Sequence, residues 1–136
     1  LISGLFAQLL KRFVFDHIHR PAYIFEQMGI DIVQVQDVAL RTKHSFPSGH
    51  TTSAFAFFMA IALILAARKH GLQIVLFAMA LLVGISRIYL NLHFLNDVLF
   101  GSILGIVTTL GIYQSMQNMQ YKWLEKPYQN LIKKRM

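Results

Sequence analysis

The chain contains no cysteine, which excludes a disulfide framework and any thiolate metal site. Acidic residues are scarce: six Asp and Glu stand against 13 Lys and Arg, a formal charge of +7. Charged residues of both signs make up only 14% of the 136 residues, where soluble domains average roughly 25%. Much of this chain therefore faces something other than water. The positive balance suits an anionic lipid surface or a phosphate-bearing ligand. Nucleic acid fits poorly, because long uncharged runs separate the basic residues.

What is present in quantity is apolar sequence. Residues 51–67, 72–86 and 98–116 carry no charge up to position 67 and no charge at all in the other two. Each approaches the roughly 20 residues needed to cross a bilayer. A helix of a soluble bundle would show a polar stripe, and residues 54–67 show none. Residues 1–10 are apolar but short, and lack the basic start and cleavage site of a signal peptide. They are expected to be the tail of a truncated membrane helix whose earlier neighbours are missing. The expected fold class is all-α, an integral-membrane helical bundle with three clear spans plus that truncated N-terminal helix. It forms a single domain over residues 1–136, with a core at 11–116 and a cytoplasmic tail at 117–136. Residues 22–46 are of mixed character; partial alternation over 30–38 suits a short strand or an interfacial element. Gly101 and Gly105 permit close helix packing, more within the bundle than between copies. Tyr121, Trp123 and Tyr128 beside lysines read as an interfacial anchor or, equally, an ordinary amphipathic tail.

The basic turn at residues 68–71 makes the first two spans an antiparallel hairpin. Residues 47–50, which open the first span, and residues 87–97, between the second and third, then emerge on one membrane face. Residues 11–21 meet that face too. Basic residues divide almost evenly between the faces: Lys11, Arg12, Arg20, Arg41, Lys43 and Arg87 on one, Arg68, Lys69, Lys122, Lys126, Lys133, Lys134 and Arg135 on the other. If substrate holds the motif cations, the remaining bias puts the second group in the cytoplasm. The motif face then looks outward, to the periplasm or cell exterior.

Two motifs carry chemistry. In Pro47-Ser48-Gly49-His50, proline stops what precedes it and Ser48 is a good N-cap. Gly49 lets backbone approach a ligand, and the free amides of a helix start cradle an oxyanion. His50 lies beside that cradle. In the second, Arg87 stands where an apolar helix meets the surface, its planar fork suited to two phosphate oxygens. His93 and Asp97 are four apart, on one face if that stretch is helical. Asp97 can then accept the Nδ1 proton of His93 and leave Nε2 as the attacking lone pair. Lys11 and Arg20-Pro21 add a third cationic element. His17, His19, His44 and His70 are taken as interfacial or structural, and no metal site is expected.

These residues resemble the type 2 phosphatidic acid phosphatase superfamily, which includes lipid phosphate phosphatases and the soluble vanadium haloperoxidases. Its motifs are Lys-x6-Arg-Pro, Pro-Ser-Gly-His and Ser-Arg-x5-His-x3-Asp. The second is intact at Pro47 to His50 and the third at Ser86, Arg87, His93 and Asp97. The first departs: Arg20-Pro21 is present, but the lysine position is occupied by Phe13. Lys11 is assigned the lysine role, with Arg12 as the alternative. The resemblance implies a bacterial membrane enzyme of the inner membrane, hydrolysing a lipid phosphate or isoprenoid diphosphate without metal or other cofactor. It implies His93 as nucleophile, Asp97 as its orienter and His50 as the acid that protonates the leaving oxygen and then activates water. It also implies that Lys11, Arg20, Ser48, Gly49 and Arg87 would hold the phosphoryl oxygens. The alternatives are a vanadium-dependent haloperoxidase, which the long apolar spans disfavour, and a catalytically silent membrane scaffold.

Overall fold

The computed structural model describes residues 2–30, 42–65 and 69–133, with side chains placed as far as residue 119. The helices are α1 (Ile2–Phe13), α2 (Pro21–Gln27), α3 (Gly49–Leu65), α4 (His70–Tyr89) and α5 (Leu95–Lys133). Among the described residues there is no strand, and the β-type pairing is an isolated antiparallel bridge between His19 and Lys43. The alternation at residues 30–38 falls almost wholly on positions outside the described residues, as does residue 68 of the basic turn.

The three uncharged runs become α3, α4 and α5, because nothing in them interrupts a helix and no charge must be kept in water. α4 reaches beyond its run at both ends. α5 starts three residues before its run and continues without a break through the polar segment after Met116. α4, with 20 residues, and the apolar part of α5, Leu95–Met119 with 25, are long enough to cross a bilayer. α3 is shorter at 17 residues, about 25 Å at 1.5 Å per residue. Charges sit at suitable ends: Arg87 in the last turn of α4 and Asp97 in the first turn of α5 complement the helix dipoles.

Burial runs opposite to that of a water-soluble bundle. Ser3, Ser45, Ser48, Thr51 and Thr52 are buried, while Ile64, Leu82 and Ile85 are 68%, 65% and 58% exposed. In water that arrangement forfeits most of the hydrophobic gain. In lipid it forfeits nothing, since hydrocarbon solvates the outward side chains and the helices associate through small residues and polar contacts. The chain is thus an all-α, membrane-type helical bundle.

α3 is the hub and packs against α1, α4 and α5. Its contact with α5 is backbone-close. A Cβ added at Gly101 would lie 2.8 Å from the Ser48 carbonyl oxygen, and one at Gly105 would lie 2.5 Å from that of Thr52. The Gly101–Gly105 pair therefore serves packing inside the bundle. Thr109 Oγ1 extends the same seam with a 3.3 Å bond to the Ala56 carbonyl.

Backbone bonds gather the functional segments at one end. The Ser48 N–H donates to the Asp97 carbonyl at 3.0 Å, joining the starts of α3 and α5. The amides of Leu92 and His93 donate to the Arg87 carbonyl at 3.1 and 3.3 Å, tying the α4–α5 turn to the end of α4. The segment after α1 joins them: the Ser45 N–H donates to the Ile18 carbonyl at 3.1 Å and the Arg20 N–H to that of Thr42 at 3.0 Å.

Candidate active site

His93 and Asp97 form the centre, by a local route other than the expected helical face. α5 begins at Leu95, so His93 lies in the turn before it and Asp97 in its first turn. The carboxylate reaches back, as in an N-terminal capping arrangement. Its Oδ2 accepts the Phe94 N–H at 3.0 Å and lies 3.3 Å from His93 Nδ1. The same oxygen accepts the hydroxyl of Ser45. Both residues of the pair are buried, with His93 only 2% exposed. A carboxylate at Nδ1 holds the proton there and leaves Nε2 its lone pair. Among the described residues Nε2 has no hydrogen-bond partner. Burial, first of all, pushes the imidazole below its ordinary value of 6.5; the charges of Lys11 and Arg20 push the same way, against the bond from Asp97. His93 is therefore neutral at pH 7 and available as a nucleophile.

The cations divide into different environments. Lys11 is buried at the end of α1 and acts electrostatically on His93, whereas Arg12 beside it is exposed. One-residue spacing on a helix turns a side chain by about 100°, so the two cannot share a direction. Arg20 is buried too. Its guanidinium donates to three carbonyls: Nε to Lys43 at 3.1 Å, Nη1 to Leu92 at 3.1 Å and Nη2 to His44 at 3.4 Å. It thereby clamps the segment before Pro47 to the turn that carries His93. Arg87 differs. Its Nε donates to the Ser86 hydroxyl at 3.1 Å, and its two terminal nitrogens have no hydrogen-bond partner among the described residues. Arg87 is the guanidinium whose fork is open to bind an oxyanion in two-point fashion.

The Pro47-to-His50 element sits at the start of α3 as its composition suggests, with one difference. The Ser48 amide is engaged by the Asp97 carbonyl, so the amides facing outward begin after it. The Ser48 hydroxyl accepts a 2.9 Å bond from Thr51 Oγ1, and its carbonyl receives the Thr52 hydroxyl at 2.9 Å. Ser48 thus joins a fully buried network with Thr51 and Thr52. His50 is exposed, one turn-step beyond Gly49. It lies two residues along the chain from Ser48, whose amide is bonded to the Asp97 carbonyl.

Ser45 carries no signal in the sequence, because a serine shortly before a proline has many uses. Nor does the sequence show that Arg20 spends donors on three carbonyls. Of the remaining histidines, His19 stacks on Tyr23 at 4.4 Å and His70 contacts Gln73 at 3.3 Å. Among the described residues no three His, Asp or Glu side chains converge as metal ligands would. Two clefts of about 290 and 370 Å³ flank α3 and are lined mainly by apolar side chains such as Phe55, Leu76, Phe57 and Ile112.

A family model described as the PAP2 superfamily matches residues 1–121. Phosphatidylglycerophosphatase B of Bacillus subtilis (strain 168) is 43% identical over 70 residues, covering 46% of this chain and 34% of that protein. Undecaprenyl-diphosphatase BcrC of the same organism is 43% identical over 63 residues, covering 46% of this chain and 31% of that protein. The chain thus matches about a third of the length of either. A crystal structure described as the first transmembrane PAP2 type phosphatidylglycerolphosphate phosphatase, from Bacillus subtilis, superposes with a TM-score of 0.65 at 28% identity. The superposition covers 86% of this chain and 55% of that one.

Proposed function

The chain belongs to the PAP2 superfamily, and from that premise we propose that it acts as a membrane phosphatase through a phosphohistidine formed on His93. The substrate is a lipid phosphate or a polyprenyl diphosphate, the classes named for its relatives. The observation that carries this reading is the buried His93–Asp97 pair, with Nδ1 held at 3.3 Å from the carboxylate.

The chemistry proceeds in two displacements. The Nε2 lone pair of His93 attacks phosphorus, and the bond from phosphorus to the leaving oxygen breaks. His50 gives its proton to that oxygen. As charge spreads over the equatorial oxygens, the open fork of Arg87 and the ammonium of Lys11 stabilise it, with amides at the start of α3. Gly49 keeps that approach clear. Asp97 stabilises the positive charge that the ring acquires. His50, now neutral, takes a proton from water; the oxygen attacks phosphorus, the N–P bond breaks and phosphate leaves. Arg20 supports this from behind, by fixing the turn that carries His93. Every role is filled by a side chain or an amide, so no metal is required.

The site faces the periplasm or cell exterior: with the motif cations assigned to substrate, the basic residues that remain favour the cytoplasm for the opposite face. The test is phosphate release from a panel of lipid phosphates and isoprenoid diphosphates, with chelator present, by wild type and His93→Ala. Release by wild type and loss in the variant are expected. Undiminished release by His93→Ala would sink the proposal.

A further inference from the structure

We infer that Ser45 is a positioning residue of this site, its hydroxyl anchoring the Asp97 carboxylate that in turn aims His93. The kinetic consequence rests on the phosphohistidine reading above; the geometry does not.

Three donors meet on one oxygen, Asp97 Oδ2: the Phe94 amide, His93 Nδ1 and the Ser45 hydroxyl. Phe94 and His93 belong to the same short turn as Asp97 and move with it. Ser45 comes from another part of the chain, 52 residues away. It is the donor that ties the His–Asp pair to the segment before α3. Ser45 is itself held by its amide on the Ile18 carbonyl, and three residues later the Ser48 amide grips the Asp97 carbonyl at 3.0 Å. Asp97 is thus pinned at its side chain and at its main chain by one segment. Because Ser45 is 0% exposed, water has no ready access to replace a lost hydroxyl.

The hydroxyl also acts electronically. A donor on Oδ2 draws charge from the oxygen that faces Nδ1. Without it, more carboxylate charge falls on the ring, and the imidazolium form of His93 is favoured. A serine that merely filled space would have no such effect, so protonation of His93 separates the two roles.

The experiment uses the full chain in detergent micelles, comparing wild type, Ser45→Ala and Ser45→Cys. Cysteine keeps a side chain of similar shape but donates weakly, and it carries the same test if alanine leaves a damaging hole. Two readouts are taken: hydrolysis of dioleoyl phosphatidic acid, and carbethoxylation of His93 against pH, read by mass spectrometry. The second needs no catalysis. Both variants are expected to lose about 10- to 100-fold in kcat, the order expected for a misaimed reacting group, with KM nearly unchanged. The pH midpoint for His93 labelling moves upward in both. An unmoved midpoint with unchanged kcat overturns the inference, as does wild-type kcat in Ser45→Cys. Should wild type release no phosphate while the midpoint still moves, the phosphatase reading fails and the positioning role stands.

Discussion

At the residue scale, the proposed chemistry depends on keeping one imidazole neutral and correctly turned. Asp97 supplies the turning, through an oxygen that also caps the turn at Phe94. Asp97→Asn keeps the shape but loses the charge and permits the wrong tautomer. It is expected to lower kcat by about 10²- to 10⁴-fold with little change in KM, as loss of the orienting carboxylate does in other triads. Steady-state kinetics on a lipid phosphate checks this. Burial supplies the neutrality, holding His93 below 6.5. Attack requires the unprotonated ring, so the acid limb of kcat/KM is expected below pH 6.5; a limb above that value would contradict it. The same shift has a sign for stability. The unfolded chain takes up a proton at the ordinary value, while the folded chain resists. The contribution is therefore intact above pH 6.5 and is lost as pH falls from there through the folded value. Denaturant midpoints across that window, compared with His93→Ala, measure it.

At the scale of elements, two glycines decide how near α5 comes to α3, and so where the catalytic turn sits. A Cβ at Gly105 would come 2.5 Å from the Thr52 carbonyl oxygen, and one at Gly101 would come 2.8 Å from that of Ser48. Neither obstacle is a flexible side chain, so the helices must part. Gly105→Ala is expected to destabilise the bundle by about 1–3 kcal/mol, the usual cost of overpacking. Gly101→Ala presses on the residue that binds Asp97, and should reduce activity as well as stability. Gly111 meets nothing within 4 Å, and Gly111→Ala should be neutral or stabilising by up to about 1 kcal/mol. Unfolding in detergent separates the three; equal effects at Gly105 and Gly111 would refute the close-packing account.

At the scale of the whole molecule, the question is which way the bundle faces. The absence of cysteine makes the chain its own blank for labelling. Lys43 is exposed at the catalytic end and Lys69 is exposed at the other end, beside the start of α4. With the site facing outward, Lys43→Cys should react with a membrane-impermeant maleimide in intact cells. Lys69→Cys should react only after the membrane is opened. The reverse pattern would turn the protein over and place its substrate on the cytoplasmic side.

The sequence by itself determined the membrane class and the three long helices, and it singled out the residues proposed to react. Those follow from local quantities: uncharged runs long enough for hydrocarbon, and rare polar residues at their ends where burial is costly. It also implied that Gly101 and Gly105 pack inside the bundle. Only the tertiary structure decided how the reactive residues are held. His93 precedes α5 instead of sharing its face with Asp97. Lys11 turns inward while Arg12 does not. Arg20 clamps carbonyls while the fork of Arg87 stays open. Ser45, silent in the sequence, reaches the Asp97 carboxylate across 52 positions. Spacing reports which residues lie near one another along a helix. Which hydrogen bonds a buried donor makes depends on the carbonyls and carboxylates that other segments bring to it, and those are set only when the helices pack.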